Sequence, residues 1–162
     1  MLRGVCMKRI SLVLLAACVV IGAFSGCGQK AEPVEFDLAA LSSQLMESGA
    51  FSDFLSPVSK EIAASFYGFE DADVTDCSVL CSTGATTEEI GLIKSASEEA
   101  AAKILANAKA RVETQRSIYE SYAPLEMPKL DNAIVTQNGL YVFYIVSADY
   151  TKAQAVLDTQ NK

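Results

Sequence analysis

Two neighbouring carboxylates, those of Glu88 and Glu89, are the first candidates for a catalytic site. Thr86-Thr87-Glu88-Glu89 places Glu88 beside Glu89, and general acid–base catalysis uses carboxyl groups whose pKa values are separated by different environments. The same residues fit a capping box, in which Thr86 and Glu89 satisfy backbone donors at the start of a helical turn. We interpret the segment as such a cap between two strands, with a functional carboxylate as the alternative.

A polar strip on the longest predicted helix is the second candidate. Arg111, Gln115 and Tyr119 recur at intervals of four residues, and Tyr122 follows them. Residues four apart lie on one face of a helix, so the strip could bind a carbohydrate, a peptide or a partner protein. The same side chains could instead hold the end of the helix against a sheet, and both roles stay open.

Metal and imidazole chemistry are not indicated. The chain contains no His, which excludes Ser-His-Asp catalysis and HExxH zinc sites. Residues 70–76 offer oxygen ligands at alternating positions, but they lack the Gly and the Glu that an EF-hand loop needs at its sixth and twelfth positions. We interpret this segment as a solvated acidic loop, and we expect neither a metal nor another cofactor.

Two cysteines, Cys77 and Cys81, lie four residues apart on a predicted strand. That spacing separates their Cα atoms by ~13 Å on a strand, whereas a disulfide needs them within about 7 Å. We expect buried free thiols, with an intermolecular or redox role as the alternative. Two cysteines without His do not suffice for a zinc site.

The charges divide the chain near residue 26. Arg3, Lys8 and Arg9 are three of the 13 basic residues, and all 20 acidic residues come after Cys27. The rest of the chain therefore has ten basic residues (13 minus 3) against 20 acidic ones, a formal charge of −10. Such a balance argues against nucleic-acid binding, which needs a cationic face.

Residues 1–26 have the organisation of a targeting segment. Lys8 and Arg9 precede an apolar stretch over residues 10–24, and small residues then lead to Cys27. This segment resembles a bacterial lipoprotein signal peptide whose lipobox ends at Cys27. The resemblance implies that a diacylglyceryl group joins the Cys27 sulfur and that cleavage makes Cys27 the first mature residue.

The position of the lipobox has a competitor at Cys18. Leu15-Ala-Ala-Cys18 matches the usual letters better than the segment before Cys27, which has Phe24 where Leu is usual. Cleavage at Cys18 would leave residues 19–24 as an exposed apolar tail, so we favour Cys27. An uncleaved anchor or ordinary secretion is the other alternative, and translation could start at Met1 or Met7.

Lipidation would place the protein at the outer face of the cytoplasmic membrane. Two acyl chains make a stable anchor, because each buried CH₂ contributes about 0.8 kcal/mol. Residues 27–35 form a short polar tether that contains Pro33. The folded part, residues 36–162, is therefore expected to stay close to the bilayer.

Residues 36–162 are predicted to form one α+β domain, in which helices pack on a small antiparallel sheet of about four strands. The order is α-α-β-β-α-β-β-α, with elements at 36–48, 58–66, 77–82, 90–94, 97–121, 133–137, 140–147 and 151–159. Ser95 or Ser97 caps the long helix. Its predicted buried stripe includes Ile118 and Tyr122. Asn138-Gly139 predicts a type I′ turn between the last two strands.

Several short patterns resemble a known family. They are a Phe36-Asp-Leu helix start, the strand-loop from Ser82 to Ile90, a long helix with Arg111 and Gln115, Tyr122-x-Pro124, and Gly139-x-Tyr141. Together they resemble small Gram-positive bacterial lipoproteins whose domain has no assigned function. The resemblance implies a lipid-anchored envelope protein without a known activity, and it supplies no catalytic residues.

Two function classes follow for the folded part. The first is a non-catalytic binding or accessory module that holds an envelope protein or polysaccharide near the membrane. The second is an envelope hydrolase that cleaves glycans with two carboxylates. The absence of a catalytic constellation favours the first, so we expect no enzyme, no catalytic residue and no nucleic-acid partner.

Overall fold

A five-stranded antiparallel sheet and five α-helices make up residues 34–160, which the computed structural model describes. The helices are α1 (Leu38–Glu47), α2 (Lys60–Tyr67), α3 (Glu98–Tyr122), α4 (Met127–Asp131) and α5 (Tyr150–Gln160). The strands are β1 (Ser56–Pro57), β2 (Val74–Cys81), β3 (Glu89–Ser95), β4 (Ile134–Asn138) and β5 (Tyr141–Val146). The α+β prediction is confirmed, and β1 and α4 are additions to the predicted order.

The predicted signal peptide and the lipidation site at Cys27 lie outside the described residues. Within residues 34–160, none of the helices is long and apolar enough to cross a membrane. Both hydrophobic cores and all five strands belong to this part of the chain.

The sheet has the order β1-β2-β3-β5-β4, so β2, β3 and β5 are inner strands and β1 and β4 are the edges. Every residue of β5 is buried, which confirms the central position predicted from its continuous apolar run. One core, which contains Tyr67, Ile104 and Tyr144, lies between the sheet and helices α2 and α3. The other core contains Leu41 and Leu157 and lies under helices α1 and α5.

The turn between β4 and β5 differs from the predicted one. Asn138 pairs with Tyr141 in the ladder, so the two loop residues are Gly139 and Leu140. Gly139 has a φ of +55°, and no other type of residue in the described chain has a positive φ. A type I′ turn needs positive φ at both loop positions, whereas type II′ needs it only at the first, usually as Gly. The type I′ prediction is therefore wrong, and the loop starts one residue later.

Helix α3 begins where the sequence predicts, but it does not bury its whole apolar stripe. The Ser97 side chain accepts a hydrogen bond from the Ala100 N–H at 3.1 Å, which confirms the cap. Ile118 and Tyr122 are 54% and 68% exposed, so their predicted burial is wrong. The 25 residues of α3 extend ~37 Å, and the seven residues of β3 only ~23 Å. Ile118 and Tyr122 are four residues apart and share an exposed face of α3, whereas Tyr119 on another face is buried.

Gly91, in the middle of β3, allows a tyrosine to lie against the sheet. A Cβ atom at this position would be 2.2 Å from the Tyr67 hydroxyl oxygen and 2.8 Å from Cζ of the same ring. We expect Gly91→Ala to lower the free energy of unfolding by about 1–3 kcal/mol, because the buried ring has little room to move. Thermal unfolding of the variant measures this loss, and an unchanged midpoint would contradict it.

Candidate functional site

A cleft at one end of the sheet brings together three of the four residues of the predicted helix strip. Arg111, Gln115 and Tyr119 line it from α3, and its volume is about 220 Å³. Phe66 from α2, the end of β2 and the loop 82–88 form the other walls. Tyr122 does not line this cleft, so its place in a shared patch stays a prediction. Its exposed ring instead contacts the edge of Tyr119, with 5.7 Å between ring centroids.

Arg111 forms a buried ion pair with Glu89 in the wall of the cleft. Its Nε lies 3.0 Å from Oε1 of Glu89, and its Nη2 lies 2.7 Å from Oε2. The two side chains are only 12% and 4% exposed. The guanidinium also stacks on the Phe66 ring at 3.9 Å from the centroid. Two bonds and a stacking contact therefore fix the orientation of Arg111.

A third group, the Tyr67 hydroxyl, completes this network by donating to Oε1 of Glu89 at 2.6 Å. Burial raises the pKa of Tyr67, and the nearby charge of Glu89 raises it further. The hydroxyl therefore stays protonated and remains a donor. The side chain of Glu89 has hydrogen bonds from two sides and is held in one position.

Residues 86–89 do not form the predicted capping box. Segment 82–88 is irregular and Glu89 begins β3, so no helical turn is present there. The Thr86 hydroxyl lies 3.3 Å from the Glu88 N–H and 3.1 Å from Oδ2 of Asp53. The capping-box interpretation is wrong, because the Glu89 carboxylate pairs with Arg111 of α3. The Thr86 N–H, which the box would use, donates to the Ser82 hydroxyl instead.

Glu88 lies in a second ionic cluster on the opposite side of the chain from Glu89. Its side chain is fully buried and accepts from Nζ of Lys129 at 2.8 Å. The N–H groups of Ser52 and Asp53 donate to it at 2.9 Å and 3.0 Å. Burial by itself would raise the pKa of Glu88, but the hydrogen bonds from Lys129 and Ser52 outweigh it and lower the pKa.

The loop that forms one wall of the cleft is attached on several sides. The Tyr119 hydroxyl lies 3.0 Å from the Thr86 carbonyl oxygen and 3.2 Å from that of Gly84. The Thr87 N–H donates to Glu126 at 2.9 Å, and Lys129 binds both Glu126 and Glu88. The cleft is therefore built from side chains and a loop that are already in place. Tyr119 both holds the loop in place and lines the cleft. A structural role and a binding role of the strip are therefore compatible.

Both cysteines of the described residues are free, as predicted, but they are half-buried rather than buried. Cys81 lines the cleft. Burial raises the pKa of Cys81 to about 12, and burial also raises the pKa of Cys77. Few thiolates are present at neutral pH, so these thiols are poor nucleophiles.

The acidic segment 70–76 is divided between two elements. Asp71–Asp73 form a short 3-10 helix, and β2 starts at Val74, so the interpretation of the whole segment as a loop is wrong. Asp73 forms an ion pair with Lys103 at 3.1 Å. Across residues 34–160 no group of three or more His, Cys, Asp or Glu side chains is arranged to hold a metal ion.

Comparison with known proteins identifies one family. Residues 48–147 match a family model described as a domain of unknown function, DUF4358. No curated protein and no solved structure matches the chain. The matched segment includes all five strands and every residue that lines the cleft. Since the match covers more than half of the sequence, this chain belongs to the DUF4358 family of domains of unknown function.

Proposed function

We propose that this protein is a lipid-anchored, non-catalytic binding module at the outer face of the cytoplasmic membrane. Its lipid is attached to Cys27, and its cleft holds an envelope partner, either a protein or a polysaccharide. The observation that carries the proposal is a preformed cleft that lies at the end of the sheet far from the start of the described chain.

The two ends of the sheet have different neighbours. Glu35, close to the start, binds Lys94 and Tyr141 at 2.6 Å each. The cleft is at the other end, where Glu89 pairs with Val146. Five residue steps along β3 (94 minus 89) separate these ends by ~17 Å. The cleft therefore lies at the opposite end of β3 from the contacts of Glu35.

The arrangement of the carboxylates favours binding over the alternative, a glycan hydrolase. Glu88 and Glu89 are consecutive and their side chains contact different parts of the fold, so they cannot flank one scissile bond. Each is paired with a cation, Lys129 or Arg111. A general acid needs a raised pKa, whereas the pKa of Glu88 is lowered.

Crosslinking in intact membranes tests the proposal. We expect the wild-type chain to sediment with membranes and to capture one partner, which mass spectrometry or monosaccharide analysis identifies. Cys27→Ala should move to the soluble fraction and lose the partner, because it lacks the acceptor thiol. Cys18→Ala is the matched control and should behave as wild type. Absence of a diacylglyceryl group from Cys27 in mass spectra of the wild type would refute the anchor, and failure of the wild type to capture a partner would refute the module.

A further inference from the structure

We infer that the cleft binds an uncharged ligand rich in hydroxyl groups, with the chemistry of a sugar residue. The inference rests on the proposed binding function and names the class of ligand. Three features of the lining support it: the extent of the groove, the balance of its charges and the hydrogen-bonding groups that it leaves unpaired.

The cleft continues into a second hollow along α3. This neighbouring hollow has a volume of about 350 Å³ and shares Phe66 and Arg111 with the cleft. Ser65, Asn107 and Thr114 line it. The stacked pair of Phe66 and Arg111 thus lies in the middle of a groove that can take more than one small ring.

The charges of the groove are already neutralised. Among the described residues that line it, the only cation is Arg111, which Glu89 binds through two nitrogens. The other carboxylate in its lining, Glu88, is bound by Lys129. An anionic ligand would meet no unpaired cation, and a cationic ligand would meet no unpaired carboxylate. The groove therefore selects a ligand without net charge.

The hydrogen-bonding groups that remain are of both kinds. Within residues 34–160, the hydrogen bonds of Arg111 use Nε and Nη2 and leave Nη1 without a partner, and the side-chain amide of Gln115 has none. Gln115 offers a donor and an acceptor, and the hydroxyls of Ser65 and Thr114 donate to their own helices at 2.7 Å and 3.0 Å, so their oxygens can still accept. Closely spaced donors and acceptors match a hydroxyl group, which also does both.

A peptide is the other ligand class that this groove must be compared with. Extended peptides are commonly held by the open edge of a strand. At this end of the sheet the edge of β2 is already paired, with Ser56 opposite Cys81 and Pro57 opposite Leu80. The groove lies instead over helix faces and a loop, so a sugar fits its lining better.

Calorimetric titration of the full-length chain tests this inference. The protein is purified in a detergent without a sugar headgroup and titrated with neutral trisaccharides: maltotriose, cellotriose and triacetylchitotriose. Trigalacturonate and trialanine serve as the charged and the peptide probe. We expect at least one neutral trisaccharide to bind, and Gln115→Ala to weaken it about tenfold, as loss of a paired amide predicts. Gln154→Ala, on α5, is the matched control and should bind as wild type.

The outcomes separate this inference from the proposed function. Binding of no neutral trisaccharide, tighter binding of trigalacturonate or trialanine, or unchanged affinity in Gln115→Ala would each overturn the sugar assignment. After any of these three results, capture of a protein partner in intact membranes would still support the proposed binding module. Gln115 has no partner in the described structure, so its replacement should not unfold the chain.

Discussion

Arg111→Met should lower the free energy of unfolding by about 3–5 kcal/mol, because it leaves the carboxylate of Glu89 buried without its cation. The Tyr67 hydroxyl still donates to Glu89 in this variant, but one neutral donor cannot replace a charge held through two nitrogens. Urea denaturation of the chain from residue 34 onward measures the loss. This fragment is suitable because it contains both cores and the whole sheet.

Two further variants separate the ion pair from general effects on the helix. Arg116→Met makes the same substitution on α3 at a partly exposed site, where Arg116 binds Asp131 at 2.7 Å, and should cost less than about 1 kcal/mol. The double variant Arg111→Met with Glu89→Gln should be more stable than Arg111→Met alone, because it removes the unpaired charge. If the loss in the double variant equals the sum of the losses measured for Arg111→Met and for Glu89→Gln alone, the pair is not coupled.

Local signals in the sequence were sufficient for the main elements of the fold. The apolar run of β5 predicted a central strand, and Ser97 was recognisable as a helix cap. Both signals act within a few residues, so they can be read without knowing the rest of the fold. Gly139 marked the hairpin correctly, but the register of the ladder decided which two residues form its loop.

The candidate site was predictable only where it depends on one helix. Spacing of four residues placed Arg111, Gln115 and Tyr119 on one face, and the cleft contains all three. The spacing could not show that Tyr122 is exposed and lies outside the cleft. A helical pattern shows which side chains share one face of the helix, but it does not show which part of the fold that face contacts.

The role of Glu88 and Glu89 could not be derived from local pattern, because their cations are far away in sequence. Arg111 follows Glu89 by 22 residues, and Lys129 follows Glu88 by 41. A capping box was the best local explanation for a Thr followed by a Glu three residues later.

Lys129→Met should have the second large effect, a loss of about 3 kcal/mol of stability at pH 7, since the side chain of Glu88 is fully buried and would lose its cation. Part of the charge would still be met by the N–H groups of Ser52 and Asp53. Lys152→Met is a matched control, because Lys152 is exposed and its ion pair with Asp149 is 3.5 Å long. It should change the stability by less than about 1 kcal/mol.

The pH dependence of the same variant tests the cause. In the wild type the pKa of folded Glu88 lies below its ordinary value of 4.5, so the unfolded chain binds the proton more readily. The contribution of Glu88 is therefore complete above about pH 4.5 and is lost as the pH falls through the lowered pKa. Without Lys129, burial dominates and should raise the pKa of Glu88. Acidification would then relieve the buried charge, so urea midpoints of wild type and Lys129→Met should converge between pH 7 and pH 4, whereas a constant difference would exclude Glu88 as the reason for the loss.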